Sequence, residues 1–390
     1  MGKYILKRLG YMVIVFLILS FLMYLVYNMI PFDRARTEAD KLKDAYKKEP
    51  EKLEELYVRY RQEMGLSKLV DYDPEKDGPI ADDERLIQTE DGVKRLVKTN
   101  VVERYLGWIG VLPANKLNNS YCGLLQGDFG YSYEHKQDVV DVLPEPMRNT
   151  VFINIFSTIL ALGCTIPLGI FCAVHRGGKR DTLIQTATII GYSIPSFIMA
   201  ILFIWLFAIQ FQEILVWIFS LFGQTLDVQI FPVSGMKTPG SDYQGLQKLL
   251  DELHYMALPL IVMTVSSLGG MTRYVRASMT EALSMDCIRT ARAKGLTEKV
   301  VIYSHAWRNA LIPVITLVVG WFLGIFSGSI MIENMFGLNG MGRVYINSLN
   351  AKDFEVVLLL QMFYVSMGLL SNLIIDLAYG IADPRVRVNK

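Results

Sequence analysis

Along the chain, uncharged apolar runs alternate with stretches dense in Lys, Arg, Asp and Glu. A bilayer hydrocarbon core about 30 Å thick needs roughly 20 apolar residues in helix, because lipid offers backbone N–H and C=O groups no partner. Runs that meet or approach this length lie at residues 9–30, 151–174, within 182–211, 255–272, 310–332 and 356–375. About six membrane helices are predicted, an even number that leaves both ends of the chain on one side. The first run follows Lys3, Lys7 and Arg8 in the manner of a signal peptide. It is longer than a signal core and has no clear small-x-small cleavage site, so it reads as a retained helix.

Charge orients these spans. The N-terminal end is basic, as is the short loop with Arg176, Lys179 and Arg180 against Asp181. Between the fourth and fifth spans Arg273, Arg276, Arg289, Arg292, Lys294 and Lys299 outnumber Glu281, Asp286 and Glu298, and the tail adds Arg385, Arg387 and Lys390 against Asp383. The positive-inside rule makes these four segments cytoplasmic and leaves residues 32–148, roughly 213–254 and 333–353 outside. In the first of these outer segments, residues 37–64 carry Leu42, Tyr46, Leu53, Leu56, Tyr57 and Tyr60 at helical spacing among charges, the pattern of one or two amphipathic helices. Residues 71–91 are acidic and turn-rich. The segment is either a small folded cap or a solvated insert that need not pack.

Two features inside the spans bear on packing. Gly320, Gly324 and Gly328 recur every fourth residue, which on one helix leaves a smooth stripe where another backbone can approach. Pro195, in Ser193-Ile-Pro-Ser196, is expected to kink the third span. Asp376 is the one acid near a helix interior, and its place late in the last span favours a structural or interfacial role over ion relay.

Composition agrees with a membrane protein: 52% of the 390 residues are hydrophobic and 20% charged, with a mean hydropathy of +0.30. Basic and acidic residues nearly balance at 39 and 38, which removes net charge as a means of holding nucleic acid. Cys122, Cys164, Cys172 and Cys287 are scattered, suggesting neither a disulfide framework nor a metal site. No G-x-x-x-x-G-K-[ST] loop occurs, so no P-loop binds ATP here. His135, His175, His254 and His305 lie far apart without a nucleophile or carboxylate at motif spacing, which gives enzyme chemistry no catalytic candidate.

The stretch from Arg273 to Pro313 is charged yet punctuated by Met279, Leu283, Ile288, Ala291 and Leu296, as helices lying on a membrane face would be. Within it, Tyr274-Val-Arg-Ala-Ser-Met-Thr-Glu281, Asp286-Cys-Ile-Arg-Thr-Ala-Arg-Ala-Lys-Gly295 and His305-Ala-Trp-Arg-Asn-Ala-Leu-Ile-Pro313 resemble the signature of the permease subunits of ATP-driven oligopeptide and dipeptide importers. In the wider importer family the loop reads Glu-Ala-Ala, three residues, then Gly. Here Ala291 and Gly295 keep that spacing while Arg289 and Thr290 replace Glu-Ala, a departure the peptide branch shares. Further resemblances run through Gly127-Asp-Phe-Gly130, Pro146-Met-Arg-Asn-Thr150, Pro232-Val-Ser-Gly235, Glu333-Asn-Met-Phe-Gly337, Gly340-Met-Gly-Arg343 and Asp383-Pro-Arg385. They cover residues 1–31 and roughly 100–390, whereas about 35–100 and 113–121 depart from the usual short outer loop.

The resemblance implies an all-α polytopic membrane protein with the type I importer permease fold and a large extracytoplasmic insertion after the first helix. It would divide into an N-terminal membrane helix (1–31), the insertion (32–147), a five-helix core (148–385) with a coupling loop at 273–308, and a cytoplasmic tail (386–390). It implies a place in the bacterial inner membrane, with both termini cytoplasmic. The implied partners are a second permease subunit, two cytoplasmic ATPase subunits and an external peptide-binding protein. No cofactor is expected in this chain, ATP and Mg being held by the ATPases. A short helix bearing Asp286, Arg289, Thr290, Ala291, Arg292 and Lys294, stopped by Gly295, would form the knob that docks on an ATPase. Glu333, Gly337, Gly340 and Gly342 would shape an outer turn near the pore mouth, and the insertion could help dock the binding protein. A permease for nickel chelates or another small solute of the same branch, or a membrane scaffold protein without a path of its own, are the alternatives.

Overall fold

The computed structural model of the protein describes residues 2–30, 32–47, 49–73, 85–89, 92–114, 116, 118–132, 134–225 and 229–382. Asp383, Arg385, the tail at 386–390 and most of the acidic stretch at 71–91 therefore lie outside the described residues. Two compact units are present: residues 1–12, 141–353 and 360–390 form one, and 13–140 with 354–359 the other.

Helix α1 (Gly2–Met29) contributes to both. In the second unit it is followed by α2 (Arg34–Asp40), α3 (Pro50–Glu63), β1 (Ser67–Asp71), β2 (Arg85–Thr89), β3 (Gly92–Lys98) and α4 (Val101–Ile109). Asp33 starts α2 by accepting the Arg36 N–H at 3.2 Å, and its other oxygen accepts the Tyr57 hydroxyl at 2.6 Å and the Arg61 guanidinium at 3.0 Å from α3. Ala35 and Ala39 then bury against Leu53 and Tyr57, so the amphipathic pattern at 37–64 does close into a small core. The three strands form an antiparallel sheet in the order β1-β3-β2, with Leu69 opposite Leu96 and Ile87 opposite Lys94. A two-residue ribbon of β4 (Tyr131–Ser132) and β5 (Gln137–Asp138) ends this unit.

The larger unit holds most or all of α5 (Val139–Val142), α6 (Pro144–Val174), α7 (Lys179–Ser193), α8 (Ser196–Phe203), α9 (Phe211–Leu221), α10 (Gly245–Leu283), α11 (Asp286–Ala293), α12 (Glu298–Val300), α13 (Trp307–Leu323), α14 (Ile330–Met335), α15 (Met341–Asn350) and α16 (Phe354–Ala382), the start of α5 and residues 354–359 of α16 belonging to the other unit. Among the described residues five helical stretches are long and apolar enough to cross a membrane: Tyr4–Met29, Val139–Val174, Ser196–Leu221, Gly245–Leu283 and Phe354–Ala378. A sixth arises if Glu298–Leu311 and Pro313–Phe326, bent by 56° at the proline, count together. Proline has no N–H for the helical ladder, which accounts for the bend.

Two boundaries differ from the expectation. Pro195 is not a kink within the third span: it separates α7 from α8, and the apolar stretch runs on through a π-helical turn (Ile204–Gln210) into α9. Residues 213–221, expected outside, therefore belong to the span. Arg273 and Arg276, expected in a loop, lie in α10, which continues unbroken to Leu283.

Helix α10 is the axis of the unit, lying against α6 and α7. Backbones come closest where a side chain is missing: a Cβ on Gly169 of α6 would sit 2.6 Å from the Val275 side chain, and one on Gly269 of α10 would sit 2.5 Å from Thr188 O of α7. Small residues at such crossings let helices gain dispersion contacts where lipid supplies no hydrophobic drive. The triplet Gly320, Gly324 and Gly328 does not play this part. Helix α13 ends at Leu323, Gly324 opens a 3-10 turn, and Gly328 lies beyond it, so the three do not share a helix face. Asp376 accepts hydrogen bonds from Arg8 and, at 3.3 Å, from the Tyr4 hydroxyl, tying the two ends of the unit together.

Candidate functional site

The first cluster is built around α11. Thr297 and Met285 flank it in extended conformations, and the helix exposes one face and buries the other. Ile288 is 0% and Ala291 4% exposed, packed with Val275, Met279 and Ala282 of α10, Ile170 and Ala173 of α6, and Val301, Ala306 and Ala310. Burying one isoleucine is worth about 2 kcal/mol or more. Three positions apart on a helix, these two residues hold one side, which turns Asp286, Arg289, Thr290, Arg292 and Lys294 outward. Arg292 grips Glu298 through two contacts, 2.8 and 3.2 Å, and Arg289 lies 3.4 Å from Asp286. Gly295 takes φ +78, and its N–H donates to Arg292 O at 2.9 Å, the left-handed stop that glycine adopts without strain. The geometry is an exposed, mostly cationic ridge on an apolar base.

A second cluster surrounds Glu333 on α14, 2% exposed. Its carboxylate accepts the Thr150 hydroxyl at 3.0 Å and the backbone N–H groups of Ser329 at 3.2 Å and Arg343 at 2.9 Å. Burial pushes the carboxyl above its ordinary range, while these donors pull it back. Glycines make the cradle. A Cβ on Gly340 would lie 2.5 Å from the Glu333 carboxyl carbon, and one on Gly342 or Gly328 would lie 3.0 Å from a carboxylate oxygen. Of the four residues expected in this turn, Glu333, Gly340 and Gly342 are in contact, while Gly337, at φ +59, closes the turn after α14 beside Ser234. Gly328, expected on a packing stripe, belongs instead to this cradle. From α6, Asn149 donates to Asn339 O at 2.8 Å and Asn154 to Ile325 O and Ser327 O at 2.7 and 2.9 Å, fastening both shoulders of the hairpin.

Among the described residues no group of three or more His, Cys, Asp or Glu side chains is gathered as a metal would need. The two clusters are one exposed ridge and one sealed carboxylate.

Residues 165–388 match the family model described as "Binding-protein-dependent transport system inner membrane component". The chain belongs to this family. As a member of these inner-membrane components it is 31% identical, over 284 residues, to the oligopeptide transport system permease protein AppB of Bacillus subtilis (strain 168), covering 73% of this chain and 79% of that one. It is also 33% identical to the dipeptide transport system permease protein DppB of Escherichia coli (strain K12), over 69% of this chain and 79% of the relative. DppB of Bacillus subtilis (strain 168) is 32% identical over 67% and 76%.

Both α11 and Glu333 fall inside the stretch matching the inner-membrane-component family, as does a pair that the sequence reading missed. Asp181, 1% exposed at the start of α7, receives both arms of Arg276 from α10 at 2.8 and 2.7 Å, the Gly177 N–H at 2.9 Å and the Gln185 amide at 2.7 Å. The Arg276 guanidinium, foremost among these, holds the Asp181 carboxyl well below the usual carboxylate range. In the sequence the two stand only as loop charges of opposite sign. Their separation of 95 positions leaves no local pattern by which to pair them.

Proposed function

We propose that this chain is the permease subunit of an ATP-driven, binding-protein-dependent importer of oligopeptides or dipeptides, forming half of the translocation path in a bacterial inner membrane. The observation that carries this reading is the build of α11. Its apolar side is fixed in the core through Ile288 and Ala291, while Arg289, Arg292 and Lys294 stand in solvent ahead of the Gly295 stop. A short helix attached on one side and charged on the other suits docking in a groove of a separate subunit. Movement of that subunit would displace α11 together with α10 and α6, because they share one apolar cluster. In this reading two cytoplasmic ATPases hold ATP and Mg and grip this chain and a second permease. A peptide-binding protein delivers cargo on the opposite face, where the Glu333 turn would lie, and both termini are cytoplasmic. The names of the relatives, oligopeptide and dipeptide permeases, support the cargo class.

The test is uptake of labelled di- to hexapeptides by the complex reconstituted in vesicles, with and without its binding protein. Arg289→Glu combined with Arg292→Glu is expected to abolish uptake while the protein still inserts and folds. Unchanged uptake by the double variant would overturn the role of α11. Sidedness is read separately from Cys287, an exposed thiol on α11, in a variant with Cys122 and Cys164 replaced by Ser. A membrane-impermeant thiol reagent should reach it from the cytoplasmic side alone, and labelling from outside intact cells would refute the arrangement.

A further inference from the structure

Between Arg104 and Asp128, in an insertion otherwise crowded with charge, Lys116 is the sole ionised residue. It is paired with Glu103 at 3.1 Å. Tyr105 and Trp108 of this neutral stretch pack on α1. The Tyr105 ring stands 5.0 Å from Phe21 and 5.7 Å from Tyr24, and its hydroxyl meets Ser20 Oγ at 2.7 Å and donates to Leu17 O at 3.0 Å. Helix α1 is an apolar membrane span ending at Met29. At 1.5 Å per residue, the level of Leu17 to Leu22 lies about 10–18 Å inside that end, which reaches the middle of a hydrocarbon core about 30 Å thick. Arg104 points the other way, to Asn28 Oδ1 at 2.8 Å, as a cation at an interface does.

Backbone at that depth must satisfy its own donors. The N–H groups of Gly110, Val111 and Leu112 all donate to Leu106 O, at 3.1, 2.8 and 3.1 Å, and Gly110 O accepts the Gln126 side-chain amide at 3.0 Å. Between α1 and this segment runs an apolar groove of 590 Å³, bounded by Ile18, Phe21 and Leu22 on one side and Leu106, Ile109 and Val111 on the other. Its rim is open: Val111 is 52% and Leu125 71% exposed. In water two such side chains would be a liability. Ile14, Ile18, Leu22 and Val26 of α1 are likewise left uncovered, and Ile18 and Leu22 line the same groove as Val111 and Leu125.

We propose that residues 105–112 and Leu125 are sunk in the bilayer against α1, and that the groove between them holds an acyl chain of a membrane phospholipid. The insertion is then anchored in the membrane by this dip as well as by its two ends, independently of any cargo or motor subunit. The inference requires only that α1 crosses the membrane.

The experiment places a nitroxide on single-cysteine variants of the full chain in phospholipid vesicles: Leu125→Cys and Val111→Cys, with Ile14→Cys as the lipid reference and Arg59→Cys, on α3, as the water reference. Because Leu125 and Val111 are exposed, their replacement leaves the packing intact. Collision with oxygen relative to collision with a water-soluble nickel chelate is expected to be several-fold higher at Leu125 and Val111 than at Arg59, and close to the ratio at Ile14. Chain-labelled phospholipid is expected to broaden the Val111 signal. A ratio equal to that at Arg59 would place the segment in water. Low collision with both reagents would mean that protein covers it. Either result overturns the proposal.

Discussion

Thr150 on α6 and Glu333 on α14 lie 183 positions apart, yet the Thr150 hydroxyl donates to Glu333 Oε1 at 3.0 Å and accepts the Met341 N–H at 2.8 Å. One hydroxyl thus holds both limbs of the hairpin between α13 and α16. Thr150→Val keeps the shape and removes both bonds, leaving the Met341 N–H buried without a partner. A loss of about 1–3 kcal/mol follows. Thermal unfolding in detergent measures it, and an unaltered melting temperature would contradict the latch. Gly340→Ala should cost a similar amount for a different reason, since its new methyl would overlap Glu333 and Thr150.

At α11, burial and exposure predict opposite sensitivities three residues of sequence apart or less. Ile288→Ala empties a packed site and is expected to destabilise by about 2–5 kcal/mol. Arg289→Ala, on the exposed face, should change stability by no more than about 0.5 kcal/mol. Chemical unfolding of the two variants side by side decides the matter; equal effects would mean that the helix is not anchored as described.

Gly295 has open space where a side chain would go, so a clash is not what constrains it. The constraint is its φ of +78, which costs an ordinary residue about 1–2 kcal/mol. Gly295→Ala is therefore expected to fold with that small penalty and to loosen the end of α11, seen as faster amide exchange at Lys294 and Leu296. Gly295→Asn, better tolerated in the left-handed region, should recover part of the loss.

The Asp181–Arg276 pair has a pH signature. Its folded-state carboxyl titrates below the unfolded value of 3.8, so its stabilisation is complete above that value and fades as pH falls beneath it. The gap in melting temperature between wild type and Asp181→Asn should be constant from about pH 7 to 5 and narrow below about 4. Arg276→Ala leaves Asp181 buried without its counter-charge, held by Gly177 and Gln185, at a cost of about 3 kcal/mol or more. A gap that does not vary with pH would show that Asp181 acts by shape alone.

Much of this architecture was legible because the bilayer imposes a length, and runs such as 9–30 or 356–375 declare it. The errors fell where charge was used as a boundary. Glu213 suggested the end of the third span, yet α9 carries it onward. Arg273 suggested the end of the fourth, but its guanidinium lies 5.6 Å over the Tyr192 ring and its Nε reaches Gly269 O at 3.0 Å, so the helix continues. The ridge at Asp286 to Gly295 could be read from its motif and from the glycine that ends it. The Glu333 cradle could be read only as a glycine-rich turn, because its donors come from Thr150 and from backbone brought together by folding. Gly169 and Gly269 sit at real helix crossings without any repeat to announce them, whereas Gly320, Gly324 and Gly328 had the repeat but not the continuous helix. The small sheet escaped notice because Lys68, Lys94, Arg95 and Lys98 disguise its alternation, and its first strand pairs with the third rather than with its neighbour in sequence.

Helix α10 runs through 39 residues, about 58 Å, as a single element. Near one tip Glu252 holds Arg148 at 2.6 Å, and near the other Met279 and Ala282 are wedged against Ile288. The same helix is thus moored at both extremities to other parts of its unit, and Pro259, which contributes no N–H to the ladder between them, marks the place along its length where it would yield first.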